Sequence, residues 1–246
     1  RWLPTWNVSA AWNAHEEEFW QSFRDVVSNM TLKSSYSLTA DRGPASVSNS
    51  KAIINSYNTW RPFTSMKESG LILSSVENSE LTYEKKHELN IGAEIGFIDI
   101  SINIEADWYI SFNFDLIGLI YTKGTGGQLA KFANVASMKS SGVEFTVSTR
   151  NIKTKDFSWN TDFIFSHTKN EVTDLQSNAS VMDMISGNGF AMEGYPVRAL
   201  FSMDFQGLNE NGYPTFINEK GQLTVSDINF QEQLKKDHLV YEGPTD

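Results

Sequence analysis

The sequence predicts an all-β fold, a portion of an antiparallel up-and-down transmembrane β-barrel. Three observations lead there: a strictly alternating run of unusual length, the lack of any apolar helix-length stretch, and connections that alternate between short and long. The run is Ile98 to Phe114. Every second residue gives Ile98, Ile100, Ile102, Ile104, Ala106, Trp108, Ile110, Phe112 and Phe114, while Asp99, Ser101, Asn103, Glu105, Asp107, Tyr109, Ser111 and Asn113 lie between. Strict alternation is the period of a β-strand, whose successive side chains point to opposite faces. At roughly 3.4 Å per residue the run extends over about 50 Å, whereas globular strands usually hold about 3–10 residues. Such a strand, apolar on one side and carboxylate-bearing on the other, suits a wall between lipid and water.

Composition is compatible with this. The chain has 246 residues, 40% of them hydrophobic, yet no stretch approaches the roughly 18 consecutive apolar residues of a membrane helix. Alternating barrel strands average out in a hydropathy window, and mean hydropathy is −0.35. The net charge of −10 and the scattered Lys and Arg speak against nucleic acid as a partner, because a duplex backbone rewards a basic patch. The absence of cysteine excludes thiol catalysis, disulfides and Cys-ligated metals from this stretch. Arg1-Trp2-Leu3-Pro4 reads as mid-sequence material and Glu242 to Asp246 as turn chemistry, so a fragment of a longer chain is expected.

Taken in order, residues 5–13 alternate (Trp6, Val8, Ala10, Trp12 on one side), with Trp at both ends as in an aromatic girdle. From His15 to Val27 the period changes, and Phe19, Trp20, Phe23, Val26 and Val27 at helical spacing after Glu16-Glu17-Glu18 predict a short amphipathic helix with acids at its N-terminus. A strand is expected at 31–40. Residues 41–80 lose periodicity and are expected to form a long loop, which in a compact domain tends to be functional or disordered. Within it Tyr57, Asn58, Trp60, Arg61 and Phe63 are the candidate substrate-binding residues, since aromatic faces flanked by Asn and Arg can stack on sugars and bond their hydroxyls. An aromatic plug folding the loop onto itself is the alternative reading.

Strands at 81–97 and 98–114 meet in a tight hairpin near Phe97, with Gly92 and Gly96 making room on the polar side of a curved wall. A loop is expected at 115–139. Its Gly124-Thr125-Gly126-Gly127 lacks the Gly-Lys-Ser/Thr ending of a phosphate-binding loop. Strands at 141–150 and 157–168 flank the turn Asn151 to Asp156, and residues 170–246 form a third long, turn-rich loop. Short turns on one side and long loops on the other match the periplasmic and extracellular ends of an outer-membrane barrel. The polar register carries Glu88, Glu94, Asp99, Glu105, Asp107 and Glu144. Repeated acids along a wet wall do not make the paired carboxyls of a glycosidase, so no enzyme activity, catalytic residue, metal or cofactor is expected.

Several blocks resemble a known family. Arg1 to Glu18 (RWLPTWNVSAAWNAHEEE), Thr31 to Thr39 (TLKSSYSLT), Leu81 to Phe97 (LTYEKKHELNIGAEIGF) with Asp107-Trp108-Tyr109, Asn134 to Val147, Phe157 to Leu175 and Gly194 to Leu208 are similar, in this order, to the SusC/RagA-type TonB-dependent outer-membrane transporters. The resemblance implies part of a 22-stranded barrel from the C-terminal half, without its plug domain. It also implies a SusD-like surface lipoprotein as lid, TonB acting through the missing plug region, outer-membrane lipid around the wall, and a glycan or peptide substrate. The alternatives are a soluble carbohydrate-binding or adhesion β-sandwich, with Tyr57, Trp60 and Phe63 as its stacking platform, and an outer-membrane barrel of another function.

Overall fold

A computed structural model describes residues 2–43, 51–60, 67–98, 101–121, 124, 130–176, 179–187 and 189–245. Its body is one six-stranded antiparallel sheet, built from β1 (Trp6–Asn13), β2 (Val27–Asp41), β5 (Glu84–Phe97), β6 (Ile102–Tyr121), β7 (Ala130–Lys153) and β8 (Ser158–Leu175), in the order β1-β2-β5-β6-β7-β8. Between β2 and β5 the chain makes β3 (Ile53–Trp60) and β4 (Lys67–Ser75), which form a separate two-stranded hairpin. Each wall strand pairs with the strand before and after it along the chain apart from that insertion. This is the up-and-down meander that the alternation predicts.

The strands outrun their sequence signal. Alternation suggests an end at Phe114, but β6 holds 20 residues and β7 holds 24, so paired strand occupies most of 115–139, where a loop is expected. The reason is a bulge at Asp115, in the left-handed region at φ 58°, where the register shifts between Asn113 and Leu116. The extra residue swaps the faces of the residues beyond it, and the period-two pattern dissolves although pairing continues. The other end is shorter than expected: Ile98 and Ser101 belong to the β5–β6 turn, in which Ser101 N–H donates to the Ile98 carbonyl at 3.0 Å.

Residues 15–27 do not form an α-helix. Two 3-10 turns, Ala14–Glu16 and Glu18–Ser22, replace it. Tertiary bonds fix them: Trp20 Nε1–H donates to the Val27 carbonyl at 3.0 Å, and His15 Nδ1 lies 3.0 Å from the Met30 carbonyl oxygen. The aromatic spacing there serves a surface rather than a helix–helix contact, for Phe19 and Phe23 stay exposed. Within 41–80 the expected structureless segment instead contains the β3–β4 hairpin. Its period is faint because both faces are solvated, and apolar residues such as Ile54, Leu71 and Ile72 stand exposed among polar ones.

Residues 170–246, expected as a loop, hold a compact region: α1 (Val181–Met184), β9 (Ala199–Met203), β10 (Phe205–Leu208), β11 (Pro214–Ile217), β12 (Leu223–Thr224) and β13 (Leu239–Pro244). Here lies a hydrophobic core, Ala179, Met184, Ala199 and Phe201, against which Phe190, Met192, Tyr195 and Leu239 pack. Tyr195, Phe201 and Tyr241 stack around it at centroid distances of 5.0–5.8 Å. The region is tied back to the wall where Val172 N–H donates to the Tyr195 carbonyl and Gly194 N–H to that of Val172.

Candidate functional site

Cross-strand partners share a face, so the pairing register sorts the wall into two surfaces. One carries rows such as Trp12–Leu32–Ala93–Ala106–Phe145–Phe165 and Ala10–Ser34–Ile91–Trp108–Val143–His167. Among the described residues no second layer covers this face, and Trp108 and Phe165 remain 40% and 50% exposed. On a soluble domain so broad an apolar surface would be a liability; against hydrocarbon it is the stable arrangement. Aromatic bands bound it. At the end toward the long connections, Trp6, Tyr36, His87 and Phe114 contact in succession at 5.4, 6.0 and 6.0 Å between ring centroids, and the Tyr36 hydroxyl bonds His87 Nδ1 at 3.0 Å. At the end of the short turns, Trp12, Phe19, Trp20 and Phe23 do the same at 6.3, 6.2 and 5.9 Å. From His87 to Phe97 the strand runs roughly 34 Å; tilted by about 45° it stands about 24 Å tall, near the roughly 25 Å apolar band of an outer-membrane barrel.

The opposite face is polar and internally bonded. Lys33 Nζ lies 3.1 Å from Glu94 and 3.4 Å from Glu105, Lys86 pairs with Glu88, and Asp107 stands opposite Glu144. Glu94 and Glu105, the two adjacent acids most like a catalytic pair, share one lysine, which makes them a strut across three strands. The Tyr109 hydroxyl reaches Thr168 at 2.8 Å by lying flat over Gly142, where a Cβ would come within 2.6 Å of the phenol ring. Gly92 similarly leaves the space that the Asp107 carboxylate fills. Glycine on the inner register of a curved wall thus admits long polar side chains from the neighbouring strand. Ile164 is an apolar exception on this face, paired with Thr146.

Beyond the upper aromatic band, the bulge is locked by Asn134. Its amide donates to the carbonyls of Thr82 (3.0 Å) and Asp115 (2.5 Å), and its oxygen accepts from Thr82 N–H at 2.8 Å. Lys85 pairs with Asp115 at 2.5 Å, and Glu84 accepts Ile117 N–H at 2.8 Å. Beside this lock opens a cleft of about 310 Å³ lined by residues that include Asn78, Glu80, Lys131, Asn134 and Gln176.

Of the sequence-predicted substrate residues, Tyr57 and Asn58 lie in β3. They are consecutive and therefore on opposite faces of the hairpin; Tyr57 is exposed and Asn58 accepts the Ser69 hydroxyl at 3.0 Å. Trp60 ends β3, its backbone opposite Lys67. Arg61 and Phe63 lie outside the described residues. In the C-terminal region, Ser180 caps α1 reciprocally with Asp183. The Ser180 backbone and hydroxyl bonds hold the Asp183 carboxyl below the usual carboxylate range, while burial pushes the Lys236 ammonium down against the opposing pull of Asp183. The Lys33 strut and the His87 band are invisible to sequence reasoning, because both depend on which residues face each other across strands and single-strand periodicity carries no register.

No helix of the described residues is long and apolar enough to cross a membrane; the strands are. Fold and faces together define the chain as wall segments of a large transmembrane β-barrel. No family model matches it. Two curated proteins are similar over most of its length: TonB-dependent receptor P26 of Formosa agariphila, 25% identical over 207 residues (82% of this chain, 20% of the relative), and TonB-dependent receptor SusC of Bacteroides thetaiotaomicron, 24% identical over 244 residues (92% and 24%). A solved structure of the RagAB peptide transporter superposes with TM-score 0.72 at 20% identity, covering 96% of this chain and 25% of that one; the RagAB peptide importer in its closed-closed state gives 0.71. The chain is SusC/RagA-like, and its place is the outer membrane, as a portion of a multi-pass β-barrel. It spans about a fifth to a quarter of the length of the curated relatives it matches.

Proposed function

We propose that this chain is part of the barrel wall of a TonB-dependent importer of oligosaccharides or peptides, working with a SusD-like lipoprotein lid. The observation that carries the reading is the two-faced sheet, with an apolar band between aromatic girdles outside, uncovered among the described residues, and a polar, acid-rich surface inside. In this reading the wall supplies no chemistry. Backbone groups in lipid must be paired strand to strand, and the inner carboxylates keep the lumen wet for a polar cargo. TonB would act through a plug domain elsewhere in the full protein. The segments 41–80, 115–139 and 170–246, strand extensions included, face the cell exterior and meet cargo and lid. Tyr57, Asn58, Trp60, Arg61 and Phe63 form the proposed cargo contact. The similarity to proteins named as receptors, SusC and a peptide transporter favours transport over catalysis. A soluble β-sandwich would need a second sheet over the Trp108 and Phe165 face, and none covers it among the described residues.

The test is uptake. Cells lacking the full-length gene should lose accumulation of a fluorescent oligosaccharide or peptide pool that wild-type cells take up, as should cells whose proton gradient is collapsed. Unchanged, gradient-independent uptake would overturn the importer reading.

A further inference from the structure

The cleft beside the bulge lies beyond the upper aromatic band, clear of the hydrocarbon. One wall is the stretch 78–82, between β4 and β5; the other is the upper ends of β6 and β7, with Gln176 just past β8. Hydrogen bonds pin the two walls together. The Asn78 amide donates to the Phe132 carbonyl at 2.8 Å, and Asn134 exchanges two bonds with the backbone of Thr82. Leu81 N–H turns back to the Asn78 carbonyl at 3.3 Å, and Gln176 N–H donates to that of Val135 at 2.8 Å. The cleft is thus formed before any ligand arrives, and little has to be ordered on binding. At about 310 Å³ it stands at the small end of ligand sites. It suits the end of a chain rather than a run of several residues.

The chemistry of the lining narrows the ligand. Leu81, Ile120, Ala133 and Val135 are aliphatic, and no aromatic ring of the described residues lines the cleft. A sugar, which lays its C–H face on an aromatic ring, finds no platform there. Asn78 and Asn134 commit their amides to the bonds between the walls. Glu80, the acid of the lining, is exposed and already engaged. Lys131 is half-buried and has no ion pair with a described residue, and the Gln176 side chain is exposed beside it in the lining. The free groups are therefore one ammonium and one primary amide over an aliphatic floor.

We propose that this cleft binds the C-terminal residue of a peptide, with Lys131 pairing with its carboxylate. The Gln176 amide, both donor and acceptor, matches the N–H and C=O of the last peptide group. Leu81, Ile120 and Val135 receive a short aliphatic side chain. A carboxylate held by an ammonium makes a charge-assisted bond, stronger than a neutral one, so the chain end rather than an internal residue is selected. The inference rests on the importer reading and names a peptide with a free C-terminus as cargo.

The experiment reads fluorescence anisotropy of a pentapeptide ending in valine, labelled on a central side chain, against the full-length barrel in detergent micelles. Wild type should bind the free acid about tenfold or more tightly than the C-terminal amide, as loss of a charge-assisted bond requires. Acetylating the N-terminus should change nothing. Lys131→Gln should erase the preference for the acid, Lys131→Arg should keep it, and Lys153→Gln at the far end of β7 should leave it unchanged. Heat-modified gel mobility reports the folding of each variant. Equal binding of acid and amide, or a preference that survives Lys131→Gln, would overturn the proposal, as would displacement of the peptide by a neutral oligosaccharide. Each of those outcomes leaves the importer reading standing, because that reading fails on gradient-independent uptake instead.

Discussion

The wall and the C-terminal region are stabilised in opposite ways. Residues 179–245 bury Met184 to 1% exposure in one cluster with Phe201, against which Tyr195 packs, and Tyr241 stacks on both rings. The six-stranded sheet turns Trp108, Phe145, Phe163 and Phe165 outward with nothing over them among the described residues. The same residue types hold a core in one region and a lipid boundary in the other. What differs is the solvent each expects: water demands a closed core, whereas hydrocarbon demands paired backbone and is indifferent to exposed apolar side chains.

The largest expected effect separates the two regimes directly. Met184→Ala should cost the C-terminal region about 2–5 kcal/mol through the lost contacts and the cavity left behind, read as faster hydrogen exchange at residues 181–201. Phe165→Ala on the wall should change exchange little in a bilayer; a loss as large as that of Met184→Ala would mean that the face is buried against protein. Next in size, Ile104→Arg should destabilise membrane assembly by about 2–4 kcal/mol near the midplane. Thr146→Arg, on the other face opposite Glu105, should assemble normally. Heat-modified gel mobility of membrane fractions distinguishes the pair, and equal tolerance would erase the two-face distinction.

The smallest effect is a pH dependence confined to the C-terminal region. Asp183 is held below its ordinary pKa by Ser180. Its contribution is therefore complete above the unfolded value of about 4 and is lost as pH falls through the lower folded value. Hydrogen exchange of α1 should rise only in that acid window, and Ser180→Ala should remove the dependence. Because Asp183 is exposed, the change is a small one.

The wall was legible in the sequence and the rest much less so, for physical reasons. Strict alternation in Ile102 to Phe114 survives because one face must be apolar throughout, and a one-residue slip would put every side chain on the wrong side. That constraint ends where lipid ends. Past the bulge at Asp115 the strands continue, paired by Asn134 and Glu84, but nothing requires alternation and a loop reading becomes natural. The β3–β4 hairpin and the small strands of 199–244 obey the same rule, since short, two-sided elements have no strong period. Of the proposed cargo residues, Tyr57 and Asn58 are placed on opposite faces of a strand, a separation that follows only once the segment is known to be a strand. The ion pairs of Lys33 with Glu94 and Glu105 join residues 61 and 72 positions apart, beyond the reach of local pattern.

The central claim is that alternate residues of β6 meet lipid and water. The chain contains no cysteine, so single substitutions at successive positions from Ile102 to Ile110 can each be spin-labelled uniquely within it. In a bilayer, labels at 102, 104, 106, 108 and 110 should be accessible to oxygen and shielded from a water-soluble nickel relaxant, with the opposite preference at 103, 105, 107 and 109. A profile without period two, or one with the two registers exchanged, would contradict the account.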